Sequence, residues 1–492
     1  MSDLPTLHRS LAAGGVVTTP PFEEVKANAR QIRIRQARSA VVVLAVIAVL
    51  AGLSLAPPQR AARVVDSRRP PTTGDVAPDT RSGEPGGAAP TTTAVTHPPV
   101  IVADGEPTSP PTRYECVKGK NGGATGTGVT ADRIRLTASA FLDGPAESIG
   151  RDVVMAWKTQ IDAVNRGGGI CGRTVDLRVI NRAFRSMEPA EEAVGLLVTP
   201  LDADFAARLA DGSVDRTGVP AVVSDGLGRM HHGSGWARSV GPPAATYARV
   251  IAEEAYRAGA RTFALIHDPE NTFGDESAAA LRDYLGRLPG ASLKFTQALD
   301  PGRVSYSNEV AAFNEKCRDG GCDAVLLSLL PDTAKQWLVK RPAMGRVRTA
   351  GYPYLLSKRF AADCELQIGS ECTRIWVWSG YTPPIDDFLG DPDVAHYAQQ
   401  FEEPLNPFTL SAYTSGSVLL EALKRVGPEL SRERLRQVLD EMTYRSGLVS
   451  QLDWRPDSVG NPWARAVRPG ESGFEDAGTG WRRDPMPGHF PR

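Results

Sequence analysis

Net charge is almost absent from this 492-residue chain, in which 56 Lys and Arg stand against 57 Asp and Glu for a formal balance of -1. Nothing global attracts it to a polyanion, so nucleic acid is not an expected partner and any partner must be recognised locally. Catalytic signatures are absent as well. The chain has seven His, among them His231-His232 in a Gly-flanked loop and His267 at the end of an apolar run. No Ser/His/Asp order, nucleophile elbow, phosphate loop or metal-spaced carboxylates accompany them. The cysteines form no Cys-x-x-Cys pair beside a His ladder, which argues against zinc. These gaps imply a protein that is not an enzyme and takes neither cofactor nor metal.

What is present begins with the run AVVVLAVIAVLAGLSLA from Ala40 to Ala56, which carries no charge, with Arg30, Arg33, Arg35 and Arg38 ahead of it. At about 1.5 Å per residue it lies near the lower end of what spans a hydrocarbon core of roughly 30 Å. A buried core helix is not expected, because the run has no polar face and is flanked by basic and Pro-rich sequence. The basic side marks the cytoplasm, so everything after Pro57 is expected outside. Ser54-Leu55-Ala56 resembles a signal-peptide cleavage site, but Pro57 is a poor residue to follow one and the region ahead is long for a signal peptide. The run is therefore expected to remain as an uncleaved anchor, and with no Cys directly after it a lipid anchor is excluded. Residues 57–112 are rich in Pro, Thr, Ala and Gly with hardly an aromatic. Such chain cannot bury enough apolar surface to offset the entropy of ordering, and an extended stalk is expected.

Beyond Tyr114, β-branched runs alternate with amphipathic windows. Ile134–Thr137, Val175–Ile180, Val194–Val198, Val219–Val223, Phe263–Ile266 and Ala324–Leu327 read as strands, with a helix around Val153 to Val164. Such alternation implies parallel α/β sheets, and the region is too long for one. Little room separates Asn181 from Val194 for a crossover helix of the usual dozen or so residues. Cys116, Cys171, Cys317, Cys322, Cys364 and Cys372 all follow the apolar run. An even number on the outer side reads as disulfides, with Cys317–Cys322 and Cys364–Cys372 the short-range candidates, leaving Cys116 with Cys171.

The order and spacing of several segments are similar to a known family. GVTADRIRLTASAFLDGPAESIGRDVVMAWKTQIDAVNRGGGICGRTVDLRVI, GVPAVVSD, YRAGARTFALIHDPENTFGDESAAALRDYL with its Phe273-Gly274, LSAYTSGSVLLEALKRVG and SGLVSQLDWRPDS resemble the bacterial amino-acid and amide solute-binding proteins related to the Leu/Ile/Val-binding proteins, which have the type I periplasmic-binding fold. The resemblance implies two Rossmann-like lobes joined by three crossing segments, near Arg238–Pro242, Trp376–Pro383 and Gly447–Trp454, with a small ligand between them and an ABC permease as possible partner. On that plan, residues 1–39 form a cytoplasmic basic tail, 40–56 the transmembrane anchor and 57–112 the linker. Residues 113–241 and 384–447 form lobe 1, 242–383 and 448–481 lobe 2, and 482–492 a tail.

Ligands of open α/β sheets bind beyond the carboxyl ends of the strands, which singles out the loops 141–148, 199–204, 224–226, 267–274 and 351–354. Phe141, Phe273, Tyr352 and Tyr354 are the expected apolar walls, Thr199 and Ser224 the hydroxyl donors, and Asp143 and Asp268 lie in the same loops. The family's amino-acid binders usually present Ser and Thr to a ligand carboxylate, whereas this chain reads TPLDADF and SDGLG. Asp202 and Asp225 facing a cleft would repel a carboxylate and pair with an ammonium group, unless they cap helices. A sensing receptor head, or a head that binds protein, is the competing function.

Overall fold

A computed structural model describes Cys116 and residues 121–490, apart from short interruptions at 144–145, 182–186, 201, 227–233, 269–271, 302, 304, 318–320, 341–347, 456–459 and 471–472. The expected anchor at 40–56 and stalk at 57–112 lie outside the described residues. Among those described, no helix is long and apolar enough to cross a membrane.

The first sheet is built from β1 (Arg133–Ala140), helix α1 (Glu147–Arg166), β2 (Thr174–Asn181), β3 (Gly195–Val198), α2 (Ala203–Ala210), α3 (Ser213–Thr217), β4 (Ala221–Val223) and β5 (Ala237–Ser239). Its strands are parallel in the order β2-β1-β3-β4-β5. The strand β1 reads RIRLTASA, and all its residues from Thr137 on are buried, as a strand covered on both faces must be. The helix α1 buries Val153, Ala156, Trp157, Gln160 and Ile161 along one side, at the spacing that makes a single stripe. Between β2 and β3 the described residues hold only a 3-10 turn at Glu188–Ala190, so the short passage expected from the sequence carries no crossover helix there.

After α4 (Ala244–Arg257) come β6 (Thr262–His267), α5 (Thr272–Leu285), β7 (Ser292–Ala298), α6 (Ser307–Cys317), β8 (Ala324–Ser328), α7 (Pro331–Lys340), β9 (Arg348–Gly351), α8 (Lys358–Ile368) and β10 (Ile375–Ser379). These strands are parallel in the order β7-β6-β8-β9-β10, a repetition of the first sheet's winding.

The chain then returns to the first sheet through α9 (Pro392–Gln400), α10 (Pro407–Val426) and α11 (Arg432–Glu441). Helix α10 packs along α1 and over β3 and β4. Its start is written in the sequence: the Asn406 side chain accepts from the Phe408 and Thr409 N–H groups at 3.0 and 3.4 Å, and Pro407 sits where no helical donor is lost. It ends at Gly427, whose φ of 73° favours glycine. A hairpin of β11 (Thr443–Ser446) and β12 (Val449–Asp453) follows. Last come β13 (Trp463–Gly470), β14 (Gly473–Asp476) and β15 (Arg482–Arg483), antiparallel additions to the second sheet beside β10.

Residues 482–490, expected as a tail, are part of this second body. Beyond β15, the Asp484 carboxylate accepts from Arg249 Nε and Nη2 at 2.7 and 2.6 Å and from the Thr246 hydroxyl at 2.7 Å. Both charged side chains are buried, and a pair so far from water stands only when its hydrogen bonds are fully made.

The disulfides join Cys116 to Cys171, Cys317 to Cys322 and Cys364 to Cys372, with Cα separations of 5.0, 4.5 and 5.6 Å that suit the bridge.

Candidate functional site

Three passages connect the two sheets, and side chains of the last tie them together. The Trp454 indole N–H donates to the Ser239 carbonyl at 2.8 Å. The Asn461 amide donates to the carbonyls of Val240 and Gly380 at 3.0 and 3.2 Å. The first and second passages also lie backbone against side chain: a Cβ on Gly380 would collide with the Pro242 ring, and one on Gly226 with the Pro242 carbonyl. Only glycine permits that approach.

The carboxyl ends of both sheets face this junction, and a polar and aromatic cluster fills the space. Just after β4 comes Asp225, half-buried, accepting the Gly226 N–H at 2.8 Å. Tyr354, just after β9 on the other sheet, donates its hydroxyl to Asp225 Oδ2 at 2.9 Å and stacks on Phe408 of α10 with centroids 5.7 Å apart. Phe273 at the start of α5 meets Tyr354 edge-on at 5.5 Å and Tyr352 at 6.4 Å. Tyr352 in turn lies 5.4 Å from Tyr247 of α4. The Tyr247 hydroxyl oxygen accepts from the Gly380 N–H at 3.0 Å, and the Tyr381 hydroxyl donates to the Ser224 carbonyl at 2.8 Å. Below them the Ser224 and Ser415 hydroxyls are 2.8 Å apart, and Trp157 Nε1 donates to Ser415 at 3.0 Å.

Burial raises the Asp225 carboxyl to about 6, against the lowering pull of its Gly226 and Tyr354 hydrogen bonds. No cationic side chain among the described residues forms an ion pair with it. Burial likewise pushes the Tyr247, Tyr354 and Tyr381 hydroxyls well up, so all three are neutral donors or acceptors. The arrangement is a carboxylate ringed by neutral phenols and aromatic faces, which is an environment suited to a cation.

Of the residues expected at the site, Ser224, Asp225, Phe273, Tyr352 and Tyr354 are brought together. Thr199 follows β3 and is buried, its hydroxyl without a hydrogen-bond partner among the described residues. Asp268 is buried and accepts the Leu330 N–H at 3.3 Å. Asp202 caps α2, accepting the Phe205 N–H at 2.9 Å and the Ser139 hydroxyl at 2.5 Å, so it serves the first sheet's own structure. Asp143 accepts from the exposed Asn181 amide at 2.7 Å, and Phe141 is half-buried against α1. Sequence reading missed Tyr247, Tyr381, Phe408 and Ser415. Tyr381 lay within an expected crossing segment, but Tyr247 and Ser415 look like ordinary helical core.

The geometry defines a class, the bilobal α/β binding protein whose site lies between two similarly wound sheets. Residues 134–467 match the family model for periplasmic binding proteins, and the chain belongs to that family, whose members bind solutes and are not enzymes. No curated protein matches the sequence. Among solved structures it is similar to a fatty acid ABC transporter substrate-binding protein from Thermomonospora curvata, at 17% identity and a TM-score of 0.62 over 73% of this chain and 95% of that one. A branched-chain amino acid ABC transporter protein from Thermus thermophilus with bound valine gives 13% and 0.59 over 72% and 97%. A solute-binding protein from R. palustris in complex with benzoate gives 13% and 0.57, again over 72% and 97%. At these identities the likeness carries the type I periplasmic-binding fold.

Proposed function

We propose that this is an extracytoplasmic solute-binding protein, held at the membrane by residues 40–56 with its N-terminus in the cytoplasm, that closes its two lobes on a small solute for an ABC importer. The solute carries an ammonium group, as an amino acid, an amide with a free amine or a related compound does. Asp225 carries the reading: it is a half-buried carboxylate with no cationic partner among the described residues, held across the lobes by Tyr354. An ionised carboxylate in such a place is costly until an opposite charge joins it. Thr199 and Ser224 lie at the ends of adjacent strands, where hydroxyls can meet the solute's polar end, and Phe273, Tyr352 and Tyr354 supply the aromatic walls. Asp143, Asp202, Asp268 and Phe141 border the same strand ends. Only a solute touching both lobes shifts the balance toward closure, by its differential affinity for the closed form.

A thermal-shift screen of the full chain against amino acids, amides, polyamines and sugars tests the reading. Ammonium-bearing solutes should raise the melting temperature of the wild type and leave Asp225→Asn unmoved. A response confined to sugars or to anions without an amine would refute it. Cell fractionation tests the anchor: recovery of a soluble form starting near Pro57 would show that the segment is cleaved.

A further inference from the structure

At the opposite ends of the second sheet's strands, away from the lobe junction, a groove of about 810 Å3 runs between α4 and the turn that leads into β10. Its floor is largely apolar. Trp376 and Trp378 lie on the same side of β10, as i and i+2 of a strand do, with Ala350 of β9 in register beside Trp376. Trp378 and Ala350 are buried beneath the groove, and the Trp376 indole is half-exposed. Ala255 and Ala258 of α4 form the facing wall.

The rim is cationic. Thr349 pairs with Ile375, so the preceding residues, Arg348 and Arg374, stand side by side at the starts of neighbouring strands, and Arg468 of β13 lines the same groove. All three are exposed. Arg468 reaches Glu475 at 2.6 Å and Arg374 lies 3.6 Å from Glu371. Arg348 donates only to the Ala258 carbonyl, at 3.5 Å, and forms no ion pair among the described residues. Glu254, the one acid in the lining, is committed to Arg482 at 2.8 Å. Like charges on neighbouring strands repel, and Arg348 brings no acid of its own to offset Arg374.

We infer that this groove is a second binding site, for an organic anion with a flat, multi-ring aromatic body. The half-exposed Trp376 indole and the exposed Ala258 accept a ring face, and the guanidinium groups pair with the carboxylate. The volume falls in the range of sites for drug-sized molecules. Because the groove lies at the amino ends of the strands, it is separate from the solute site at their carboxyl ends.

The test is calorimetric titration of the full chain with naphthalene-2-carboxylate. One saturable site is expected, with affinity falling at least tenfold in the exposed double variant Arg348→Glu/Arg374→Glu and at least tenfold for the uncharged 2-naphthamide. Phe273→Ala, at the lobe junction, should bind like the wild type. An absence of saturable binding, an affinity indifferent to the charge reversal, or a loss in Phe273→Ala would each overturn the inference, the last by putting the anion at the lobe junction. Melting curves of the double variant, expected to match the wild type, keep a folding defect from passing as lost binding.

Discussion

In the second sheet β7 passes to β8 through an 11-residue helix, α6, whereas the equivalent passage from β2 to β3 holds only the turn at Glu188–Ala190 among the described residues. The strand order is the same in both, so the winding does not depend on that helix. The first sheet manages its thinner cover by making the surface polar: Arg135 and Arg178 converge on Glu192 at 3.1 and 3.8 Å, and the Thr137 hydroxyl donates to the Pro189 carbonyl at 3.3 Å. Each sheet also borrows a helix delivered by a crossing segment, α10 laid along α1 in the first and α4 along α5 in the second. The first lobe thus leans on distant chain and a long-range disulfide, the second on a buried ion pair and two short disulfides.

The largest effect that would break this contrast is expected at the second lobe's ion pair. Asp484→Ala leaves Arg249 buried without its counter-charge and should cost about 3 to 5 kcal/mol, read by denaturant unfolding. A double replacement by Met and Leu should recover most of it, and a loss under about 1 kcal/mol would show that the C-terminal residues do not hold this lobe.

Next in size are the disulfides. Cys116 and Cys171 are 55 residues apart, against 5 and 8 for the other two pairs. Chain entropy then gives about 4 kcal/mol for the first and about 2 for each of the others. Paired Cys→Ser variants should rank in that order, with the first lobe the more dependent. Equal losses would contradict that dependence.

A third effect sets the junction apart from either lobe. The Asp225 carboxyl rises from 3.8 to about 6 on folding, so the folded state holds the proton more tightly than the unfolded one. Its contribution to stability is complete below about pH 4 and is lost as pH rises through about 6, a span worth roughly 3 kcal/mol. Above that pH the ionised group weakens the empty protein and favours a cationic solute. Unfolding measured across that window should lose this slope in Asp225→Asn, and an unchanged slope would assign it to another group.

The smallest effect sharpens the link between the lobes. Asn461→Ala removes the amide bridging Val240 and Gly380 and should cost about 1 to 3 kcal/mol for two buried carbonyls left unpaired. Hydrogen exchange should rise at the crossing segments and not within the sheets. Protection lost evenly across both sheets would mean that Asn461 serves the cores instead.

The α/β alternation was legible because β3, β4, β6 and β8 are apolar runs, and β1 and β2 carry β-branched and apolar residues in alternation with polar ones. The strand β9 is four residues, RTAG, and carries no such signal. The half-exposed β7, SLKFTQA, is weakly apolar and went unread. Residues 482–492 were read as a tail because β15 is two residues long and Asp484 gains its meaning from Arg249, 235 residues away. At the site, residues in strand-end loops could be found from the rule that ligands lie there. Tyr247 and Tyr381 could not, because their hydroxyls point into the junction only once the crossing segments have folded together. Asp202 and Asp225 sit in similar acidic loops, and only the structure separates the helix cap from the carboxylate held by Tyr354.

The most direct measurement is a calorimetric titration of the full chain near neutral pH with the solute returned by the screen, wild type against Asp225→Asn. If Asp225 is the counter-charge for the solute's ammonium group, the substitution should weaken binding at least tenfold, about 1.4 kcal/mol, with the melting temperature maintained or raised because the buried charge is gone. Equal affinity in the two proteins, with the fold intact in both, would contradict the assignment and leave the cluster around Asp225 a structural feature of the lobe junction.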